Sequence, residues 1–409
     1  MHNSKAVAVR AAAVATPFTG DSLGESIRNY LRTAILKIAE EELSAFLGAE
    51  AGVRTPARRG YRNGCSRKRT ITTSAGPTEV QLPRARTFDG DEWQSTMIPR
   101  YSRRLREVDA ALLGMYFGGV NTRKIKQAIR PLLRDSPLSK SSISRLIVRL
   151  KDFFEAWSSR SLATEDISYV YMDGTYVRLR CAGRRGSLPV MVAIGVRSTG
   201  EKVLLSLRVM GSESAAAWQA FVGDLAGRGL KRPELAVIDG NQGLALALDR
   251  TWPEIPRQRC IVHKYWNLLG YAPKNSHEQL KADYHAIVYA EDLAAARAAY
   301  EAFVRKWKRL HEGVARSIQE AGDELLTFMR FPKAQWKAIR TTNIIERLNQ
   351  EFRRRVKTQG MFPTESSILI LLFGVVASGM VKLRKIEGFD TMEAKPKISE
   401  HADQALAIA

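Results

Sequence analysis

The sequence predicts an α/β mixed-sheet domain, interrupted by an all-α insertion and preceded by a mainly helical region. Three patterns carry this reading. Apolar residues recur at helical spacing across residues 22–47 and 106–157. From Ser168 onward, β-branched and aromatic runs separated by turn signals alternate with helical segments. A helical stretch of about residues 274–337 then separates those strands from a late amphipathic helix that begins near Thr342.

Residues 1–20 read as a flexible leader, because Arg10 interrupts the apolar stretch that a signal peptide needs. Residues 21–104 hold a helix, a basic loop and a hairpin. Ile27, Leu31, Ile35, Ile38, Leu43 and Phe46 share one helix face, and Gly48 and Gly52 mark its end. The loop RTPARRGYRNGCSRKRT (54–70) carries Arg54, Arg58, Arg59, Arg62, Arg67, Lys68 and Arg69 and no acid. Charges this dense repel unless counterions or phosphates neutralise them, so the loop is a candidate DNA-backbone contact, with Tyr61 available to stack. A solvated charge run is the alternative. Residues 70–84 alternate like a hairpin around Ala75-Gly76-Pro77.

Residues 105–160 read as a helix-turn-helix region. One helix covers about 108–117 and stops at Gly118-Gly119. A second is capped by Asn121 or Thr122, and a third follows the turn at Asp135-Ser-Pro-Leu. Lys140, Ser141, Ser144 and Arg145 open the third helix, where side chains would meet bases or phosphates.

The strand region, residues 161–265, begins with SYVYMDGTYVRLR (168–180), LPVMVAIGVRSTG (188–200) and EKVLLSLRVM (201–210). A helix over 214–225, the strand LAVID (235–239), a helix over 242–252 and a last strand over 258–262 follow. This order, β-β-β-α-β-α-β, is that of a ribonuclease-H-like α/β domain. Residues 266–339 form the all-α insertion, in which Trp307 and Trp336 are candidates for core packing or for stacking on a base. Residues 340–384 return to the sheet domain with an amphipathic helix and a second, apolar one, and 385–409 is a tail.

Lys and Arg number 64 against 42 Asp and Glu, a net charge of +22. Such an excess favours a polyanionic partner. The longest apolar run, 368–380, is shorter than the ~20 residues of a spanning helix, so membrane insertion is not expected. Three cysteines, Cys65, Cys181 and Cys260, make no disulfide framework, and a cytoplasmic, nucleoid-associated location is expected.

Three acids stand out. Asp173 interrupts the first apolar strand, where a lone charge is costly to bury. It is either a ligand on the sheet surface or an edge-strand Asp paired with an Arg. Asp239 ends the LAVID strand, at the strand terminus where α/β sheets bind ligands, but an Asp there also commonly caps the next helix or turn. Glu346 stands on the polar face of TTNIIERLNQEFRRRVK with Asn343, Asn349, Gln350, Arg353 and Lys357, opposite Ile344, Ile345, Leu348, Phe352 and Val356. Alone it reads as a solvated Glu near Gln350. Together, two strands and a helix can bring three carboxylates to one spot, where their mutual repulsion calls for hard cations such as Mg²⁺. Two ions ~3.5–4 Å apart can stabilise both the attacking and the leaving oxygen of an in-line phosphoryl displacement.

The stretches YVYMDGTYVRLR, LAVIDGNQGLALAL, QRCIVHKYWN and RTTNIIERLNQEFRRRVKTQGMFP resemble Mutator-type bacterial insertion-sequence transposases of the DDE class. The resemblance extends to RNG (62–64), LGMYFGGVNTRKI and SKSSISRL, and so through nearly the whole chain. It implies that Asp173, Asp239 and Glu346 are the catalytic, metal-binding acids for two Mg²⁺ ions, with Mn²⁺ able to substitute. It also implies that the long gap before Glu346 is an all-α insertion. IDGNQGL departs slightly from the family's frequent SDGH-like form but keeps the Asp. The family's Cys-x-x-His motif falls on Cys260 and His263. No second pair is evident to complete a Zn²⁺ site; His263 is expected to line the active site, contacting phosphate or a flanking carboxylate, with Cys260 beneath it, and a satisfied structural pair is the alternative. Asn343 and Asn349 are expected to support it. Arg347, Arg353, Arg354 and Lys357 are expected to hold DNA phosphates. The expected partners are the terminal inverted repeats and target DNA, both double-stranded, bound by a homodimer or larger assembly. A non-catalytic DNA-binding regulator and a ribonuclease-H-like nuclease stay open as other readings.

Overall fold

The computed structural model describes residues 22–121, 124–125, 127–129, 140–181, 184–359, 362 and 364–392. They divide into two compact units, one reaching residue 113 and including 122–146, the other comprising 114–121 and the chain from 147 onward.

In the first unit the long helix α1 (Ser22–Leu47) matches the expected bounds. It covers two antiparallel ribbons: β1 (Gly60–Cys65) pairs with β4 (Pro83–Thr87), and β2 (Arg69–Thr73) with β3 (Gly76–Val80). Ile35 and Ala39 of α1 pack with Ile71, Val80, Leu82 and Ile98. The hairpin expected around Gly76 is present, with Gly76 in the left-handed φ region that the tight turn needs. Part of the basic loop is instead the strand β1. Its Arg62 turns back onto α1, donating to Glu40 at 2.6 Å, to Ser44 Oγ at 2.8 Å and to the Ala49 carbonyl at 3.2 Å. Arg69 likewise donates to the carbonyls of Ile98, Pro99 and Arg100. These two guanidiniums, expected on DNA, are engaged within the unit. Arg59, Arg67 and Lys68 are exposed.

Helix α2 (Arg106–Phe117) stops at Gly118-Gly119, with Gly119 at φ +96°. Residues 130–139, where the turn of the helix pair is expected, lie outside the described residues, as do the side chains of Lys140 and Ser141. Helix α3 (Lys140–Ser159) follows, with Ser144 and Arg145 exposed near its start.

The second unit is built on β5 (Ile167–Cys181), β6 (Arg184–Arg197), β7 (Lys202–Val209), helix α4 (Ala215–Gly227), β8 (Leu235–Ile238), helix α5 (Gln242–Thr251) and β9 (Arg257–Arg259). The strands form one mixed sheet in the order β7-β6-β5-β8-β9. The first three meander antiparallel, while β8 and β9 run parallel to β5, as crossover helices require. Alternate side chains of β5 and β8 sort to opposite faces. Val170, Met172, Ala236 and Ile238 pack with Trp218, Phe221, Leu244 and Leu248 of α4 and α5. On the other face, Tyr169 and Tyr171 donate their hydroxyls to Gln335 and to the Ala338 carbonyl.

Three elements differ from expectation. Strand β6 begins at Arg184 rather than Leu188, because β5 and β6 continue as a long hairpin past the apolar run. Strand β9 ends at Arg259, and Ile261, Val262 and His263 belong to helix α6 (Ile261–Leu269). The β-branched pair Ile261-Val262 imitates strand, but Ile261, Lys264 and Leu268 recur at helical spacing and are the residues buried. The start of the expected tail is packed: Ile386 is buried and its N–H donates to Gly200 O at 3.0 Å.

The insertion is helical as expected, with α7 (His277–Val288), α8 (Leu293–Leu310) and α9 (Glu312–Ala321). Trp307 is buried there and donates Nε1–H to Asp283, and Trp336 donates to the Phe331 carbonyl and meets Phe328 edge-on. Both indoles are in the packing role. Helices α10 (Asn343–Gln359) and α11 (Glu365–Ala377) follow, and the apolar run lies largely inside α11 with Ile368, Leu371 and Leu372 buried. Among the described residues no helix is long and apolar enough to cross a membrane.

Removing Arg62 leaves Glu40 and the Ala49 carbonyl without their charged donor. Arg62→Ala is therefore expected to destabilise the first unit by about 1.5–3 kcal/mol, and Arg67→Ala by less than about 0.5 kcal/mol. Denaturant unfolding of the two variants checks the contrast.

Candidate active site

Strand register brings the chemistry-bearing residues level. In the parallel pairs, Met172 lies opposite Ile238 and Ile238 opposite Arg259. The next residues in each chain direction are Asp173, Asp239 and Cys260, one row at the ends of β8 and β9 and part-way along the longer β5. Because the side-chain period is two, Asp173 leaves the face that buries Met172 and takes the face covered by α10.

Helix α10 presents Ile345, Leu348, Phe352 and Val356 to the protein interior, which fixes its rotation. Asn349, expected on the polar face, is buried, and its Nδ2 donates to Asp173 Oδ2 at 2.9 Å. One turn on, Arg353 donates to Thr175 Oγ1 at 2.7 Å. One turn earlier, Glu346 Oε1 lies 3.1 Å from the Thr342 hydroxyl and 3.8 Å from His263 Nδ1. Glu346 thus engages Thr342 and His263 rather than Gln350. Asn343 is exposed at the first turn, and Arg347, Arg354 and Lys357 are exposed along the helix, Arg354 with Glu351 at 2.8 Å.

Asp239 Oδ1 accepts the Asn241 N–H at 2.9 Å, closing the turn after β8. The cap of α5 is made by Asn241, which accepts from Leu244 N–H, so Asp239 retains its other oxygen for a different partner. Gly240, at φ +103°, passes so close to Arg259 that a Cβ would fall 1.8 Å from its Nε. Cys260 is buried, and the Thr342 hydroxyl lies against both its sulfur and His263 Nδ1.

Two residues were not singled out from sequence. Glu213, just before the α4 cap Ser214, lies against Gly174, where a Cβ would sit 2.6 Å from Glu213 Oε1. That oxygen is buried with no hydrogen-bond partner among the described residues. Thr342 precedes α10 and meets Cys260, His263 and Glu346. An acid or a Thr at a helix start ordinarily reads as a capping residue, so neither carried a separate signal.

The family model described as "Transposase, Mutator family" matches residues 2–382. The chain belongs to the Mutator family of transposases. A relative from Rhizobium meliloti, "Transposase for insertion sequence element ISRM5", is 36% identical over 348 residues, covering 85% of this chain and 86% of the relative. The IS406 transposase of Burkholderia multivorans is 32% identical, covering 87% and 90%. The IS256 transposase in transposon Tn4001 of Staphylococcus aureus is 29% identical, covering 85% and 88%. A chain of the Mos1 pre-cleavage transpososome is similar at 12% identity and a TM-score of 0.16, over 67% of this chain and 83% of its own, too low to imply a shared arrangement.

In this family member the electrostatics of the site are strained by like charge. Burial first, then repulsion from Asp239, with Glu213 and Glu346 adding and His263 opposing, push the Asp173 carboxyl up to about 7. Burial, then Asp239, raises Glu213. His263 is raised by the Cys260 thiol beside it, against desolvation, with Glu346 and Asp239 adding. The Cys260 thiol is pushed up by burial but held below its ordinary value by His263 and Thr342. The chemistry suits a hard divalent cation with oxygen ligands: Asp173 feels three further acids, and Glu213 Oε1 is buried without a hydrogen-bond partner among the described residues.

In the metal-free fold Asp173 holds its proton more tightly than in the unfolded chain. Its contribution to stability is therefore complete below about pH 4 and is lost as pH rises through about 7. Asp173→Asn keeps an acceptor for Asn349 and removes this loss. In EDTA it is expected to raise the melting temperature by several degrees at pH 8, by less at pH 5 and little at pH 4. No gain at pH 8 would contradict the electrostatic account.

Proposed function

We propose that this chain is a ribonuclease-H-like polynucleotidyl transferase that cuts DNA at the ends of an insertion sequence. It then joins the freed 3′-hydroxyls to target DNA. Asp173, Asp239 and Glu346 would hold the divalent ions, Mg²⁺ or in its place Mn²⁺. What supports this reading most is that Asp173 and Asp239 stand level on parallel neighbours β5 and β8, that the helix bearing Glu346 packs on β5, and that Asp173 feels the charge of both other acids. The strand order β7-β6-β5-β8-β9, three antiparallel strands followed by two parallel ones, supports the ribonuclease-H-like arrangement. The relatives, transposases for insertion-sequence elements, support the substrate.

When bound, a pair of Mg²⁺ ions would activate the attacking oxygen and stabilise the leaving one. The protein's own part is placement. Asn349 holds one oxygen of Asp173, the turn at Asn241 holds one oxygen of Asp239, and Thr342 meets one oxygen of Glu346. Each acid thereby keeps a second oxygen for an ion. His263, raised and beside Glu346, offers a positive charge to a DNA phosphate. Arg347, Arg353, Arg354 and Lys357 continue that charge along α10. Arg58, Arg59, Arg67 and Lys68 of the first unit, with Lys140, Ser141, Ser144 and Arg145 at the start of α3, would bind the terminal repeats. The net charge of +22 supports a polyanionic partner. Two ends must be joined together, so at least two active sites act in one assembly, a homodimer or more.

Glu346→Gln is expected to reduce nicking and strand transfer to the level of a no-enzyme control, with binding to duplexes carrying the element ends unchanged within about twofold. The assay uses supercoiled plasmid bearing those ends, with Mg²⁺ or Mn²⁺. Equal loss of binding and chemistry in a folded variant would contradict the assignment. Cutting that ignores the ends and joins nothing would favour a nuclease.

A further inference from the structure

Thr342 is fully buried at the point where three elements meet: the end of β9, the first turn of α6 and the start of α10. Its hydroxyl lies 3.1 Å from Glu346 Oε1, 3.2 Å from His263 Nδ1 and 3.3 Å from Cys260 Sγ. Its N–H donates to Cys260 Sγ at 3.4 Å. Its carbonyl accepts from Ile345 N–H at 2.9 Å and Glu346 N–H at 3.1 Å. The residue that starts the helix therefore also touches the side chain one turn along it.

A hydroxyl has one proton and two acceptor lone pairs. In the ring form in which His263 Nδ1 carries a proton and donates to Oγ1, the Thr342 proton has two acceptors, Glu346 Oε1 and Cys260 Sγ; the sulfur already accepts the Thr342 N–H, and the carboxylate is the stronger acceptor, so the proton goes to Oε1. A carboxylate held at one oxygen by a buried, immobile donor has its rotamer fixed, and its other oxygen remains for a second partner. We propose that Thr342 is a positioning residue: it fixes Glu346 through Oε1 against the Cys260–His263 frame and leaves Oε2 to a divalent ion.

The ligand atoms of Cys260, His263 and Glu346 also lie within 4.8 Å of one another, which invites a transition-metal site at the same place. The Thr342 hydroxyl stands within hydrogen-bonding reach of all three and would compete with such an ion for their lone pairs.

The inference rests on Glu346 binding an ion, and its test separates the two claims. Mn²⁺ affinity is measured by calorimetry on the full chain for wild type, E346Q, T342V and T342S, with melting curves for each. Strand transfer is followed as a function of Mn²⁺ concentration. Loss of one hydrogen bond to a charged group is worth about tenfold. T342V is expected to lose about that much Mn²⁺ affinity, to regain most of its rate at saturating Mn²⁺, and to bind DNA as wild type does. T342S, which keeps the hydroxyl, is expected to restore the affinity to within about twofold of wild type. If T342V does not fold, T342A takes its place with the same expectation. Unchanged Mn²⁺ affinity in T342V, with E346Q weakened, overturns the role of Thr342 and leaves Glu346 as a ligand. Unchanged affinity in E346Q removes the ligand itself. Stoichiometric Zn²⁺ binding that C260A abolishes would show a metal site in place of the hydrogen-bond hub.

Discussion

The charge on Asp173 organises the second unit. Its side chain is 8% exposed on a covered sheet face, and its charged neighbours include three further acids. An ionised carboxylate so placed needs a cation or a proton, because desolvation in a protein interior is not repaid by one amide donor. Asn349 supplies that one donor, and the nearby Arg353 bonds to Thr175. The demand for positive charge is therefore left standing at the spot where strands β5 and β8 and helix α10 meet. The divalent ion proposed for this site would meet it.

The rest of the unit can be understood as the means of holding that spot together. Helix α10 must cross the sheet with its apolar stripe inward for Glu346 and Asn349 to arrive, and the whole insertion lies between it and β9 in sequence. An ionic cluster, its two cations buried, ties the insertion to the sheet end. Arg259 of β9 donates to Glu320 of α9 at 2.8 Å, and Lys264 of α6, also buried, reaches the same carboxylate at 2.7 Å. Gly240, the residue after Asp239, gives Arg259 room to lie there. Gln258 adds a neutral tie, accepting from Phe328 N–H at 2.7 Å and donating to the Leu325 carbonyl at 3.1 Å. Removing Glu320, itself 40% exposed, would leave the buried Arg259 and Lys264 without their shared carboxylate.

Much of this was legible from sequence because it follows from periodicity. Residues 22–47, the three meandering strands and the two βα units declare themselves by period and by turn signals, and the apolar stripe of α10 was read almost residue for residue. What escaped depends on tertiary context. Ile261-Val262 has the composition of a strand, but α6 begins there because Lys264 and Leu268 find buried partners one and two turns on. Asn349 counts as polar on a helical wheel, yet it is drawn inward by a carboxylate far away in the chain. Arg62 looked free for DNA in a basic run, but α1 offers Glu40 and Ser44 from the other side of the unit. Thr342 and Glu213 had the appearance of ordinary helix-start residues. Only the pairing of β8 with β9, and of β5 with β8, reveals what they face.

The most direct measurement is the anomalous scattering of Mn²⁺ in crystals of the protein bound to DNA ends. The account predicts peaks at ordinary ligand distance from carboxylate oxygens of Asp173, Asp239 and Glu346, about 2.0–2.2 Å. Crystals that bind Mn²⁺ elsewhere, or that hold Glu346 away from both aspartates with DNA in place, would contradict it.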